Sequence, residues 1–305
     1  MKKKLIKALK RTFWSVYSIL SKNSIQKRLG YSRTAKLLII HADDIGFSAS
    51  ENIATFNAIK GGLVNSGSIM VPCHGFEEAA SWLKEHPEVD AGVHLTLTGE
   101  WDAYRIKPLL DRSEIPSVAD SEGFFFKSKN EFASKATPPE MEKECREQIK
   151  RALDSGVDIT HIDSHMYSTF ANDGLLKKYI SLGREFNVPV LLTREMPLWV
   201  NMLKKAIIVD RLYCADMKDF ENGLDKYYTE VLKSLRPGLN CLLVHVAYND
   251  QSMMAITKGE KAFGAEWRQG DFDFFTSQKC RDLITGNNVK LITWREIRDK
   301  LLRQN

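Results

Sequence analysis

Two adjacent acids, Asp43 and Asp44, close the run Leu37-Leu38-Ile39-Ile40-His41-Ala42 and are followed by Ile45-Gly46. An apolar run of that length reads as a strand buried on both faces, as in a parallel sheet. Polar residues at its C-terminal end lie where α/β proteins build their sites. Neighbours on an extended segment point to opposite faces, so the two carboxylates can hold different roles. A lone acid would more simply cap the next helix. Here Ser48 or Ser50 is available for that purpose.

Histidines recur at comparable places. His94 lies in Gly92-Val93-His94-Leu95-Thr96, and Thr160-His161-Ile162-Asp163-Ser164-His165 ends another apolar segment. His245 follows the run Cys241–Val244. Taken singly, each reads equally well as a satisfied polar residue near the core. Of the others, His86 reads as a solvated helix end and His74 as a loop residue near the rim. Neutral imidazoles with a carboxylate suit a divalent ion such as zinc. Asp44, His94 and His165 would make a three-ligand site with positions open to water and substrate. An ion so held lowers the pKa of a bound water toward ~7 and polarises a carbonyl. Asp43 could then accept a proton, and His245 could donate one to the leaving group. The alternation His161-x-Asp163-x-His165 suits Asp163 to orient a ligand imidazole. His41 and His161 are candidates for supporting or substrate-contacting positions.

The elements that must position these residues alternate along the chain. Helical spacing over Glu51–Lys60 stops at Gly61-Gly62. Strand patterns at Ser66–Val71 and Asp90–Leu97 flank a helix at Phe76–Lys84. Further on, helices are predicted at Glu140–Ser155, Gly174–Phe186, Tyr227–Leu235, Phe272–Thr285 and Trp294–Leu302. Strands are predicted at Asp158–Ile162, Val188–Thr193, Ala206–Val209, Cys241–Val244 and Val289–Thr293; residues 196–219 are otherwise ambiguous. Alternating strands and helices argue for parallel βαβ units. About seven such units suit a distorted (β/α) TIM-like barrel, which gathers polar strand ends on one face. Residues 98–139, rich in proline and glycine and containing Phe124-Phe125-Phe126, read as a lid or loop insertion.

The composition, 43% hydrophobic and 27% charged in 305 residues, is ordinary for a globular chain. It accommodates one large α/β domain, taken here as residues 36–305. Five scattered cysteines without a CxxC pair suggest neither a disulfide framework nor a thiolate zinc site. They fit a reducing, cytoplasmic compartment. The net charge of +5 conceals an asymmetry: residues 1–36 hold eleven basic residues and no acid, leaving 33 basic against 39 acidic groups elsewhere. Residues 1–35 read as an amphipathic basic helical arm suited to peripheral contact with an anionic membrane, or to packing on the domain. No segment is long and apolar enough to span a bilayer. With basic residues confined to the arm and no recognition motif, nucleic-acid binding is not expected. No GxSxG elbow points to nucleophilic catalysis.

The motifs His41-Ala42-Asp43-Asp44-Ile45-Gly46-Phe47-Ser48, Gly92-Val93-His94-Leu95 and Thr160-His161-Ile162-Asp163-Ser164-His165, in this order, resemble those of the YdjC-like carbohydrate deacetylases. The resemblance runs from about Lys36 to the final strand and helix, leaving the arm outside. It implies a distorted barrel and one divalent ion, Mg2+ or Zn2+, on an Asp and two His. It also implies removal of N-acetyl groups from a carbohydrate substrate. Carried over, Asp44, His94 and His165 would hold the ion, Asp43 would be the general base and His245 the acid. The chain departs from the family pattern at His41, usually Asn, and at Met166-Tyr167-Ser168-Thr169, where further histidines are usual. It departs again at Val246, usually proline. These differences bear on the substrate more than on the reaction type. Competing expectations are a metal-dependent hydrolase of a phosphoester or non-sugar amide, and an inactive carbohydrate-binding relative. A homodimer is compatible with all of them.

Overall fold

The computed structural model describes residues 24–303. Its seven strands are β1 (Lys36–Ile45), β2 (Ser66–Ile69), β3 (Ala91–Leu95), β4 (Ile159–Ser164), β5 (Arg211–Tyr213), β6 (Gly238–Val244) and β7 (Val289–Leu291). They form one parallel sheet in the order β4-β3-β2-β1-β6-β5, with β7 paired to Lys36–Leu38 of β1. β1 is central because it is long: it pairs with β6 from Lys36 to Ala42 and with β2 from His41 to Ile45. Beyond β4 the pairing continues as single parallel bridges, Ile162 with Val190 and Thr193 with Val209. Asp210 N then donates to Leu239 O. Hydrogen bonding thus runs on from β4 toward β6, an arrangement compatible with a distorted barrel.

Residues 188–193 fall short of the regular strand that their apolar run predicts, because Pro189 offers a carbonyl (to Ile162 N, 3.0 Å) but no N–H. The strand expected at Ala206–Val209 is displaced to Arg211–Tyr213, and the ambiguous region around it also holds short helices at Leu198–Asn201 and Met217–Glu221. The single helix expected over Phe272–Thr285 is two, Ala265–Thr276 and Gln278–Gly286. They are divided at Ser277, which leaves helical geometry and caps the second through Cys280 N. Ser48, not Ser50, caps the helix Ala49–Gly61.

β1 separates two apolar layers. Leu38, Ile40 and Ala42, with Leu242 and Val244 of β6, pack against the helices Leu224–Ser234 and Ala265–Thr276. Leu37 and Ile39, with Leu239, Cys241 and Leu243, form the opposite layer, closed at the N-terminal end of the strands by Ile25, Leu29, Trp294 and Ile297. Each fully buried aliphatic side chain stabilises the fold by roughly 1.5–3 kcal/mol. Ile25 and Leu29 belong to the last part of the basic arm. The rest of the arm lies outside the described residues. No described helix is long and apolar enough to cross a membrane.

The proline-rich insertion is packed. Trp101, Ile106, Ile115, Val118, Phe125 and Phe132 are buried in the same core cluster as β2 and β3. It includes a helix at Lys129–Lys135, and Glu144 of the next helix accepts from Leu109 N and Leu110 N.

Candidate metal centre

The strands end their chemistry-bearing residues together. His41 and Asp43 continue the face of β1 that carries Leu37 and Ile39. Asp44 would point away, but its backbone is left-handed (φ 68°) and Gly46 follows at φ 90°. Asp is among the few non-glycine residues that adopt this conformation readily. A side chain at Gly46 would meet Met70 O at 3.2 Å as well as adopt an unfavourable φ. The break in alternation brings both acids to one place.

Asp44 Oδ1 lies 3.4 Å from His94 Nε2 and 3.4 Å from His165 Nδ1, and the two nitrogens are 3.3 Å apart. The outward atom of each residue is already engaged. Asp44 Oδ2 accepts from an Arg268 guanidinium nitrogen at 2.8 Å, His94 Nδ1 meets Asp163 Oδ1 at 2.9 Å, and His165 Nε2 meets Glu100 Oε2 at 3.1 Å. Ionised carboxylates only accept, so each imidazole directs its N–H outward. The remaining lone pairs converge with Asp44 Oδ1, a buried atom without a hydrogen-bond partner. Three such atoms lie this close only with protons or a cation between them. Tetrahedral bonds of about 2.1 Å would separate such ligands by about 3.4 Å, so the residues present fit a divalent ion. These three residues form one of the groups able to hold a metal.

The electrostatics divide the paired acids. Burial opposes ionisation of Asp44, but Arg268 together with His165 and His94 outweighs it and holds the carboxyl well below its usual range. Asp43 lacks an arginine. Burial, aided by Asp163 and Asp44, pushes it up to about 7 despite His94 and His41. Its Oδ1 lies 3.3 Å from His41 Nε2, and its Oδ2 lies 3.8 Å from His245 Nε2. Burial opposes charging of His94 and His165 as well. The surrounding carboxylates prevail, holding His94 well above its ordinary value and His165 at about 9, so without an ion the inward nitrogens keep protons that a bound metal would displace. His245 goes the other way, to about 3, because burial, reinforced by Arg268, outweighs Asp44.

Behind these groups lies a supporting layer. Asp163 accepts from His94, from Ser68 Oγ at 3.0 Å and from His41 Nε2 at 2.9 Å. Burial disfavours its charge, yet the two histidines hold it far below the usual carboxylate range. His41 Nδ1 also meets Ser66 Oγ at 2.9 Å. His161 stands apart from Asp44, His94 and His165: its Nδ1 meets Thr160 Oγ1, and its ring packs on Trp294 and edge-on to His41.

Sequence patterning alone does not reveal Arg268, Glu51, Glu100 or the two serines. Arg268 is fully buried and bridges Asp44 and Glu51, each at 2.8 Å. A charged residue on a helix is by default a solvated one, which hides Arg268 and Glu51. The spacing Ser66-x-Ser68, matching His41-x-Asp43 on the neighbouring strand, is the one signal present beforehand.

The sequence profile of the YdjC-like protein family matches residues 37–286, and the chain belongs to that family. It is similar to the carbohydrate deacetylases of Brevibacillus brevis (28% identity over 271 residues, 85% of this chain and 99% of the relative) and Thermoanaerobacter pseudethanolicus (26%, 85% and 98%). Its fold is similar to the crystal structure of an Enterococcus faecalis protein described as a cellobiose-phosphate cleavage protein. The TM-score is 0.73 at 24% identity, covering 87% of this chain and 99% of that one.

Proposed function

We propose that the protein is a metal-dependent hydrolase that removes N-acetyl groups from an N-acetylated sugar or oligosaccharide. The observation that carries this reading is the convergence of Asp44 Oδ1, His94 Nε2 and His165 Nδ1 beside a second, separately tuned acid. The names of the carbohydrate deacetylase relatives, which align over nearly their whole length, support the reaction class. Asp44, His94 and His165 would hold one Mg2+ or Zn2+, the two imidazoles favouring zinc. Bound there, the ion supplies Lewis acidity toward a carbonyl oxygen and lowers the proton affinity of water.

The chain's own residues do the rest. Asp43, with a proton affinity near neutrality, would accept the proton of the attacking water at a free carboxylate oxygen. His245 rests neutral, and its low proton affinity makes it a willing donor once protonated. The proton taken up by Asp43 would pass to His245 Nε2, 3.8 Å from Asp43 Oδ2, and from there to the departing amine, which leaves acetate and the free amino sugar and returns both residues to their starting states. Asp163 and His41 would keep His94 and Asp43 in register. The packed insertion would form one wall of the cleft through Glu100 and Trp101.

Acetate release from N-acetylated chito-oligosaccharides, with and without chelator, tests the reading, with p-nitrophenyl phosphate in parallel. Chelator-sensitive acetate release is expected. Phosphate-ester turnover without acetate would move the protein to another bond, and sugar binding without any turnover would make it an inactive relative.

A further inference from the structure

The support for His165 comes from outside the sheet. β4 ends at Ser164, and Met166 and Tyr167 beyond it are left-handed (φ 51° and 52°), so no strand pairing fixes the direction of the His165 ring. Two residues of the insertion do so instead. Glu100 Oε2 lies 3.1 Å from His165 Nε2. Trp101, 3% exposed, stacks on the His165 ring (centroids 5.6 Å apart, 27° between planes) and packs at a tilt on Phe47 (4.3 Å, 37°). The backbone carrying them is pinned to the far side of the insertion: Thr98 bridges Phe126, and Gly99 N donates to Phe126 O at 3.0 Å.

We infer that Glu100 is a positioning residue that sets the cation affinity of the centre through His165. Accepting from Nε2–H fixes the tautomer and the turn of the ring, so that Nδ1 is the nitrogen presented beside Asp44 Oδ1 and His94 Nε2. The inference rests on the metal reading above and extends it to a part of the chain remote in sequence from the paired acids. It carries a reciprocal consequence: an ion that binds better when Glu100 holds His165 must itself stabilise the segment around Glu100.

The experiment measures Zn2+ affinity of the purified full-length protein, stripped of metal, by competition with a chromophoric chelator. Wild type, Glu100→Gln and Glu100→Ala are compared, with amide hydrogen exchange across residues 98–126 followed with and without Zn2+. Glu100→Ala should weaken binding roughly 10–100-fold, the usual cost of losing such a partner, and Glu100→Gln should fall between because it keeps an acceptor but not the charge. Zn2+ should slow exchange across the segment in wild type and much less in Glu100→Ala. A merely structural role would lower Tm without moving the affinity. Equal affinities in all three proteins, with wild type binding one ion, overturn the inference and leave the metal reading standing. Failure of wild type to bind Zn2+ overturns both. Should the alanine variant fold poorly, the glutamine variant and the wild-type exchange pattern still decide.

Discussion

Asp43 and Asp44 are neighbours with opposite proton affinities, and the difference lies in what each touches. Against the cost of burial, Arg268 and two imidazoles hold Asp44 ionised, whereas burial, aided by Asp163 and Asp44, drives Asp43 to about 7. The pair therefore separates experimentally. Asp43→Asn keeps the shape but is a far weaker base, so kcat should fall about 10²–10⁴-fold while bound metal, read by elemental analysis, stays stoichiometric. Asp44→Asn should lose metal affinity, with activity partly restored by excess ion. It should also lower stability by roughly 3–5 kcal/mol, because it leaves Arg268 without part of its counter-charge. Loss of metal from Asp43→Asn with retention in Asp44→Asn would exchange the two roles. The residue types at these positions were legible in the sequence, because strand ends followed by Gly46 announce themselves. Their separate roles were expected there too, but the physical cause of the difference was not legible, since it depends on Arg268, which is 224 positions from Asp44.

At the scale of elements, the sheet was legible wherever apolar runs are uninterrupted, as in β1 and β6. It was obscured where a single residue changes the hydrogen bonding, as at Pro189 and Ser277. Hydropathy does not report a proline's missing donor within a run or a serine cap within a helical pattern. The same sensitivity to one residue appears at Gly92 on β3. A Cβ there would lie 2.6 Å from His161 Cε1, Nε2 and the carbonyl oxygen, so the glycine makes room for the His161 ring. Gly92→Ala should destabilise by about 1–3 kcal/mol in chemical denaturation, as overpacking does. Adding His161→Ala should recover part of that loss, because the two residues share one space. Strictly additive losses would show that the backbone of β4, not the ring, is what the glycine accommodates.

The molecule as a whole sets its polar layer between two seals. At the C-terminal end of the strands, Glu100 and Trp101 lie against His165 of the candidate site. At the other end the last helix, Trp294–Leu301, lies under the sheet with Trp294 and Ile297 buried against Leu37 and Ile39. Two acids hold that helix in place. Asp90 accepts from Trp294 N at 2.9 Å and Arg295 N at 2.7 Å. Asp158, at the start of the segment leading into β4, pairs with Arg298 at 2.6 Å and with Arg295. Burial works against ionisation of Asp158, but Arg298 and Arg295 outweigh it, so its folded pKa lies below the unfolded one. A depressed carboxylate contributes stability that is present above the unfolded value, near 3.9, and is lost as pH falls through the folded one. Asp158→Asn should therefore lower Tm at pH 7 and lower it progressively less as the pH is taken below about 4. The side chain is 40% exposed, so solvent screening keeps the effect at about 1 kcal/mol or less, which is roughly 2 °C for a chain of this size. Asp90 titrates in the opposite sense: burial, only partly offset by hydrogen bonds from Ser66 and Thr160 and from the backbone of Trp294 and Arg295, raises its pKa. The comparison must therefore be made between the variant and wild type at each pH, so that the Asp90 contribution cancels. A Tm difference that stays constant from pH 7 to pH 3 would mean that the charge of Asp158 contributes no stability of its own, and that the seal depends on Asp90 and on the packing of Trp294 and Ile297.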